Sequence, residues 1–221
     1  MRVLEKCSTC DLTLGRWRHC PNYWCRRADR GWDVVWAVRE HRGRMRRAIG
    51  ELKYGGDLTW VGPLAALLAR YLLERAPWFD HIDLVVAVPS NVGRARAADH
   101  VGLVVAAARP VIGELWDVAA PGTVLVKDGE TCPLAEARSA SARRLRAAAE
   151  VRPALVVTDP DAVAGRRVLA VDDVFTDGST LREVAYALRR SGAAAVSGLV
   201  LARQPVRPPG EAVTGSARMP W

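Results

Sequence analysis

Apolar positions recur with two different spacings from residue 62 onward. Short β-branched runs bounded by polar residues are typical of buried strands, whereas apolar residues three and four positions apart indicate helices. Strands are predicted over residues 83–89, 124–126, 167–174 and 195–201. Helices are predicted over residues 62–75, 93–109, 133–150 and 179–191, the last of them closed by Gly192.

Strand and helix alternate from Asp83 onward. This order predicts an α/β fold in which a parallel sheet carries helices on its faces. We therefore divide the chain into a cysteine-rich segment over 1–30, an α/β domain over 31–203 and a tail over 204–221. The tail is rich in Pro, Gly and small polar residues, so it is predicted to be disordered.

The composition fits an ordinary globular protein, because 50% of the 221 residues are hydrophobic and 25% are charged. No apolar run reaches the length of a membrane span. The N-terminus lacks the apolar stretch of a signal peptide, so we expect a cytoplasmic protein. The formal net charge of +8 comes almost entirely from Arg and favours anionic partners such as nucleic acid or phosphorylated small molecules. A positive net charge that serves only solubility is an equally good explanation of this balance.

The most informative stretch runs from Val168 to Leu181. Four apolar residues, two acids and Val-Phe are followed by Thr, Asp, Gly, Ser and Thr, and then a helix begins. A tight turn at a helix N-terminus points several backbone N–H groups at one place, where the helix dipole adds partial positive charge, so an anion binds well. Gly178 lets the backbone approach an oxygen atom closely. The hydroxyls of Thr176, Ser179 and Thr180 add hydrogen-bond donors.

Asp172 and Asp173 end the predicted strand beside this turn. Alone, two carboxylates would repel a phosphate, but they suit a ligand whose next feature is a pair of hydroxyls or a hydroxyl-bound cation. A ribose 5-phosphate fits this description, with its phosphate on the turn and its 2′ and 3′ hydroxyls on the two acids. The simpler interpretation is a capped strand-to-helix turn with two solvated acids.

This stretch resembles the diphosphoribose-binding motif of type I phosphoribosyltransferases, in which apolar residues, two acids and two apolar residues precede Thr-Thr-Gly-x-Thr. The two acids, Thr176, Gly178 and Thr180 match that motif. Asp177 stands where the family has Thr or Ser. A carboxylate there should weaken phosphate binding unless it points away, caps the helix or is balanced by an arginine.

Four of the five cysteines lie within the first 25 residues in two pairs, Cys7-x2-Cys10 and Cys20-x4-Cys25. In a reducing compartment, such pairs favour a tetrahedral zinc site over disulfides. The site would be structural, because four protein ligands leave no position open for catalysis. His19 could replace one ligand, and unpaired thiols or a relic site are the alternatives. Cys132 is expected to be a lone small hydrophobic residue or a surface thiol.

Further stretches resemble the ComF family, competence-associated proteins with a phosphoribosyltransferase-like domain and an N-terminal zinc finger. The cysteine pairs are similar to that zinc finger, and residues 41–57 are similar to the family stretch that ends in Leu-Lys-Tyr-x-Gly-Asp. Val88-Pro89 followed by Arg94 and Arg96 is similar to the family's Val-Pro strand end and Arg-rich turn. Two features depart from the family: Arg-Gly-Phe-Asn-Gln does not follow the Val-Pro step, and residues 127–133 lack the Arg/Thr/Gln pattern of the mobile loop.

The resemblance implies a phosphoribosyltransferase-like sheet, phosphoribosyl diphosphate or a nucleotide as ligand, magnesium bound with the diphosphate, and structural zinc. Lys53, Arg94, Arg96 and Lys127 are candidate diphosphate contacts, although each could equally be a solvated basic side chain. His100 is expected to be a packed or surface histidine rather than a base. The predicted ligand-binding residues are Lys53, Arg94, Arg96, Lys127, Asp172, Asp173, Thr176, Asp177, Gly178, Ser179 and Thr180.

Two functions are compatible with these features. The first is an enzyme of nucleotide metabolism or salvage that transfers a phosphoribosyl group to a nitrogen base. The second is a non-catalytic module that senses a nucleotide, or that uses the zinc segment and the basic stretch 42–47 to bind single-stranded DNA during uptake. Trp32 and Trp36 would then stack on bases, although a Trp-rich core face with solvated Arg explains the pattern somewhat better. The oligomeric state, a homodimer included, stays open.

Overall fold

A computed structural model describes residues 5–15, 17, 19–90, 99–129, 131–132 and 134–206. The strands of these residues are β1 (Val35–Glu40), β2 (Leu84–Ala87), β3 (Asp117–Val118), β4 (Leu125–Lys127), β5 (Leu155–Val157), β6 (Arg167–Phe175) and β7 (Ala195–Arg203). Five of them form a parallel sheet in the order β1-β7-β6-β2-β3. The strands β4 and β5 form a separate antiparallel pair.

Six α-helices are described: α1 (Gly43–Gly50), α2 (Val61–Leu73), α3 (His100–Ile112), α4 (Ala140–Arg146), α5 (Arg152–Ala154) and α6 (Ser179–Arg190). Two π-helical turns continue α1 and α4, over Glu51–Gly55 and Ala147–Val151. Short 3-10 helices cover Tyr23–Arg26, Ala28–Arg30, Leu58–Trp60, Ala76–Trp78 and Leu134–Glu136. Within the described residues, no helix has the length and apolar character that a membrane crossing requires.

The sheet is covered on both faces, as the alternation of strands and helices predicts. The central strands are buried, and all four residues of β2 are shielded from solvent. One core cluster joins a face of the sheet to α1, α2 and α3. The other joins the opposite face to α6, to the α4–α5 region and to the cysteine segment. The fold class predicted from sequence is therefore confirmed.

Two local predictions were wrong in detail. The predicted strand 124–126 lies outside the parallel sheet, because β4 pairs antiparallel with β5 instead. The predicted helix 133–150 is interrupted, because the Ser139 side chain accepts from the backbone N–H of Ala142 and starts α4 afresh. Within the described residues, α3 begins at His100 and continues to Ile112. Residues 93–98 of its predicted first turns, and residues 207–221 of the predicted tail, lie outside the described residues.

The cysteine segment packs along the edge of the sheet formed by β1. The backbone N–H of Val35 donates to the Thr9 carbonyl at 2.9 Å. The backbone N–H of Ala37 donates to the Asp11 carboxylate at 3.1 Å. An exposed strand edge offers unpaired N–H groups to other chains, and these two contacts satisfy such groups internally. The segment is thus docked on the α/β domain.

The order of the strands identifies where a ligand would bind. The connection from β2 through α3 leads to β3 on one side, whereas the connection from β6 through α6 leads to β7 on the other. The direction in which successive strands are added to the sheet therefore reverses between β2 and β6. In open parallel sheets, ligands bind outside the carboxyl ends of the strands at such a switch point.

Candidate functional site

The turn between β6 and α6 depends on a glycine. Gly178 has a φ of 90°, in the left-handed region, and α6 begins at the next residue. A Cβ atom at this position would lie 2.7 Å from Cζ of Phe175 and 3.3 Å from Cζ2 of Trp32. Both the backbone conformation and the close approach of these rings therefore favour Gly. The turn projects the first N–H groups of α6 beyond the carboxyl end of β6.

Ser179 contributes a hydroxyl that has no partner among the described residues. The residue is 2% exposed, and its Oγ atom accepts and donates no hydrogen bond there. It lines a small cavity together with Asp172, Thr176 and Thr180. Buried hydroxyls almost always have a hydrogen-bond partner, so this one, beside a helix N-terminus, is available to an oxygen atom of a bound anion.

Asp177 points into the same turn and is held from two sides. Its Oδ1 atom accepts from the backbone N–H of Ser179 at 3.1 Å. Its Oδ2 atom lies 3.5 Å from Nη1 of Arg143 on α4. The carboxylate therefore accepts from the first backbone N–H of α6 and has its charge balanced by an arginine as long as no other anion is bound. Arg143 lines the cavity as well.

Asp173 follows the cavity-lining Asp172, is buried and is surrounded by donors. Its Oδ2 atom lies 2.5 Å from Nζ of Lys53 and 2.7 Å from Nε2 of His100. Burial alone would raise the pKa of Asp173, but the charges of Lys53 and His100 outweigh it and hold the pKa below its usual range. Burial likewise lowers the pKa of Lys53, yet Asp173 more than compensates and raises it. Asp173 and Lys53 thus form a charged pair at the base of the site.

His100 extends this contact into a chain of polar groups. Its Nδ1 atom lies 3.0 Å from Oγ of Ser90, which in turn donates to the Asp99 carboxylate at 3.0 Å. Asp99 also caps α3 by accepting from the backbone N–H of Gly102. The predicted packed histidine is therefore buried as expected, but it joins the end of β2 to the end of β6.

Asp172 differs from Asp173 in its exposure and in the direction of its pKa shift. It is only partly buried and lines the cavity, and its Oδ1 atom accepts from the backbone N–H of Asp173 at 2.8 Å. Burial, reinforced by the charge of Asp173, raises the pKa of Asp172 to about 7. Burial lowers the pKa of Lys127, and the charges of Asp172 and Lys53 also act on it. Lys127 therefore lies within electrostatic reach of Asp172 and Lys53.

The structure thus brings some of the predicted site residues together in one cavity and places others elsewhere. The turn residues Thr176, Gly178, Ser179 and Thr180 line one cavity with Asp172 and Asp177. Lys53 and Asp173 pair with each other and are not among the residues that line this cavity. Arg94 and Arg96 lie outside the described residues, so the structure gives no position for them.

The four N-terminal cysteines meet in one cluster. The Sγ atoms of Cys7, Cys10, Cys20 and Cys25 all lie within 4.8 Å of one another. The Cys7–Cys25 and Cys10–Cys20 sulfur distances are 4.0 and 3.7 Å. Tetrahedral Zn–S bonds of about 2.3 Å place sulfurs about 3.8 Å apart, so the donor set fits zinc. His19 is not a member of the cluster, and Cys132 is exposed elsewhere.

The electrostatics of this cluster also favour a cation. The hydrogen bond with Cys10 raises the pKa of Cys20 to about 12, and Cys10 and Cys20 together raise the pKa of Cys25. Four adjacent thiolates repel one another unless a positive ion lies among them. The cluster could therefore bind zinc through all four sulfurs.

Two side chains that the sequence analysis did not single out connect the cluster to the turn. Arg203 is 2% exposed and donates to the backbone carbonyls of Cys10 and Thr176. Asn22, between the two later cysteines, donates from Nδ2 to the Asp177 carbonyl at 3.0 Å. In the sequence, only the position of Asn22 within the cysteine segment could have indicated its contact with the turn. Nothing in the sequence indicated the contacts of Arg203.

Comparison with protein-family models agrees with this geometry. Residues 102–210 match the phosphoribosyl transferase domain. The match covers just under half of the chain and includes β6, the turn and α6. The cysteine cluster and Lys53 lie outside the matched phosphoribosyl transferase domain. A search of curated proteins found no match to this chain.

The domain match and the sheet together establish a phosphoribosyltransferase-like fold. The phosphoribosyl transferase domain accounts for the turn and for Arg143. The elements N-terminal to it add Lys53, which pairs with Asp173, and the cysteine segment, whose Asn22 donates to the Asp177 carbonyl. The candidate site is therefore assembled from both halves of the chain.

Proposed function

We propose that the protein binds the ribose 5-phosphate part of phosphoribosyl diphosphate, with the phosphate on the turn formed by residues 176–180. The buried, unpaired Ser179 hydroxyl at the N-terminus of α6 carries this proposal. A phosphate oxygen would supply its partner, and the α6 dipole would favour the negative charge. The match to the phosphoribosyl transferase domain supports the same ligand class.

The two acids then have different roles in the proposal. Asp172 lines the cavity and is placed to hydrogen-bond the ribose hydroxyls. Asp173 is a positioning residue, because it is buried and joins Lys53 to His100. Its contacts fix the end of β6 beside the end of β2. In this proposal Asp172 binds the sugar, whereas Asp173 holds the surrounding side chains in position.

The proposed reaction is the transfer of the phosphoribosyl group to a nitrogen base. The bond from the ribose C1 atom to the diphosphate oxygen breaks, and diphosphate leaves with the electron pair. A ring nitrogen of the base forms the new bond to C1 and gives up its proton to the departing diphosphate or to water. Magnesium bound with the diphosphate would neutralise charge on the leaving group. Lys127 is the described candidate for contact with that group, and the charge of Lys53 acts on Lys127.

We also propose that the protein is a cytoplasmic member of the ComF family with a structural zinc ion. The four-cysteine cluster supports the zinc, since its sulfur distances suit tetrahedral coordination. The docking of the cysteine segment beside the turn supports one functional unit, in which the zinc shapes the ligand site. The stretch 41–57, which supplies Lys53, is the sequence feature that favours this family.

A second candidate function is the binding of single-stranded DNA without catalysis. Arg42, Arg44, Arg46 and Arg47 are exposed at the start of α1, which follows the carboxyl end of β1. They therefore lie at the same edge of the sheet as the turn. Trp32 is buried in the core, so it cannot stack on bases. Exposed Tyr54 is the better candidate for stacking.

Titration calorimetry with phosphoribosyl diphosphate and magnesium tests the first function. We expect binding by the parent protein and about tenfold weaker binding by Ser179→Ala, because the variant loses one hydrogen bond to a charged group. Ser191→Ala, at the other end of α6, is the matched control and should bind like the parent. An absence of binding by the parent protein would refute the proposal.

Two further measurements separate the alternatives. Diphosphate release in the presence of a set of nitrogen bases reports turnover and would identify the acceptor. Titration of a labelled oligonucleotide at low and high salt reports the DNA function, whose affinity should fall steeply with salt. Oligonucleotide binding that disappears in a variant with Arg44 and Arg46 replaced by Gln, without loss of phosphoribosyl diphosphate binding, would assign the two ligands to different surfaces.

A further inference from the structure

The anion site at the turn already contains an anion that belongs to the chain. Asp177 accepts from the backbone N–H of Ser179, which is the first residue of α6. The same carboxylate lies 3.5 Å from the Arg143 guanidinium. The amide and the arginine are two of the donors that a phosphate on this turn would use. The unpaired Ser179 hydroxyl lies in the same cavity and provides independent evidence that a ligand binds there.

We propose that Asp177 is a built-in competitor for the ligand phosphate, and that Arg143 passes from the Asp177 carboxylate to the phosphate when the ligand binds. This inference rests on the proposed function, because it concerns the same turn. It identifies Asp177 as the residue that sets the affinity of the site and Arg143 as a ligand contact.

The backbone of the turn is fixed while the carboxylate is held only by polar contacts. The Asp177 carbonyl accepts from Nδ2 of Asn22 at 3.0 Å, and Asn22 is itself buried and bonded to the backbone N–H of Trp24. The α6 helix starts two residues later. The Asp177 side chain can therefore rotate away about its own bonds without movement of the turn.

Charge explains why the carboxylate must leave. A phosphate bound to the Ser179 amide would lie within a few ångströms of the oxygen atoms of Asp177. Two like charges at that separation, in a partly shielded site, repel strongly enough to change a dissociation constant by about tenfold or more. Arg143 can neutralise one of the two anions at a time. Ligand binding therefore has to overcome a contact that the protein makes with itself.

Substitution of Asp177 by Asn tests the inference with little structural change. The Asn side chain keeps an oxygen that can accept from the Ser179 amide, so the cap is preserved and only the charge is removed. The probes are inorganic phosphate and ribose 5-phosphate, measured by calorimetry at neutral pH. We expect Asp177→Asn to bind both at least about tenfold more tightly than the parent protein.

Asp80→Asn is the matched control for the change in net charge. Asp80 has a side chain that is 78% exposed and precedes β2, so it lies at the opposite, amino-terminal edge of the sheet. The control should bind like the parent protein. Arg143→Gln should weaken binding, both in the parent and in the Asp177→Asn background, since it removes a donor to the phosphate.

The outcomes distinguish this inference from the proposed function. Measurable binding by the parent protein and tighter binding by Asp177→Asn support both. Binding by the parent that Asp177→Asn leaves unchanged or weakens, with the variant folded as judged by urea unfolding, overturns the competitor and leaves the proposed function standing. An absence of binding by both proteins overturns both proposals.

Discussion

Arg203 donates from Nε to the backbone carbonyl of Cys10 at 3.2 Å, although the two residues lie near opposite ends of the chain. The same guanidinium donates to the Thr176 carbonyl at 2.7 Å and lies 4.6 Å from the ring centroid of Phe175. One buried arginine therefore connects the cysteine cluster to the phosphate turn. The conformation of the cluster and that of the turn should depend on each other.

Removal of metal from the cluster is expected to disturb the turn. Purified protein should contain about one zinc ion per chain, and a strong chelator should lower both the urea midpoint of unfolding and the affinity for ribose 5-phosphate. The reason is that, without zinc, nothing holds the four sulfurs together, so the segment that presents the Cys10 carbonyl to Arg203 is free to move. Metal analysis, unfolding and calorimetry on the same sample measure these effects.

Cys132→Ser is the control for this prediction, because Cys132 is exposed and lies outside the cluster. It should keep its zinc and respond to the chelator like the parent. Metal-free protein that keeps its midpoint and its affinity would show that the cluster does not support the turn.

The turn itself should tolerate no side chain at Gly178. An alanine there has an unfavourable φ of 90° and places its Cβ atom 2.7 Å from Cζ of Phe175. We expect Gly178→Ala to lower the free energy of unfolding by about 2–3 kcal/mol and to weaken phosphate binding. Gly122→Ala separates the two causes, since Gly122 has a φ of 78° with no atom within 4 Å of its added Cβ. Equal losses of stability in the two variants would mean that the rings of Phe175 and Trp32 add nothing to the cost of a side chain at Gly178.

Much of this architecture could be predicted because it is local in sequence. The strand β6, the turn and α6 follow one another without interruption, and their chemistry is carried by residues 168–181. Gly178 and the hydroxyls beside it suffice to predict an anion site. The cysteine pairs are also close in sequence, so the cluster follows from their spacing.

The contacts between distant segments could not be predicted in this way. Lys53 and Asp173 are 120 residues apart, and Arg203 and Cys10 are 193 apart. Their pairing depends on the order of strands in the sheet, which the periodicity of one chain does not specify. For the same reason the Asp177 carboxylate was recognised as a departure from the motif, whereas its partner Arg143 was not.

The charged pair of Lys53 and Asp173 should be important for stability. Asp173→Asn is expected to lower the free energy of unfolding by about 3 kcal/mol, because it leaves Lys53 without its counter-ion. Lys53→Met should cost less, about 1–2 kcal/mol, since the Lys53 side chain is 35% exposed and His100 still donates to Asp173. Urea unfolding of both single variants and the double variant gives the coupling between them. Costs that simply add would contradict a direct interaction.

The two acids at the end of β6 should affect stability with opposite pH dependence. Because burial and the charge of Asp173 raise the pKa of Asp172 from 3.8 to about 7, the folded protein holds a proton between about pH 4 and 7 that the unfolded chain has released. The contribution of Asp172 is therefore fully present below its ordinary pKa and is lost as the pH rises through 7. Asp173, whose pKa is lowered, stabilises the fold above its ordinary value and loses that effect in acid.

Urea unfolding of the parent protein and of Asp172→Asn at intervals from pH 4 to 8 measures this effect. Other groups titrate in both proteins, so the difference between the two curves isolates Asp172. We expect the stability of the parent to decline relative to the variant as the pH rises from 4 to 7, by at most about 1.4 kcal/mol per pH unit, and the difference to level off above 7. Asp80→Asn should instead run parallel to the parent. Curves for Asp172→Asn that also run parallel to the parent would mean that Asp172 is ionised throughout, and hence that the protein cannot offer a protonated acid beside its phosphate turn at neutral pH.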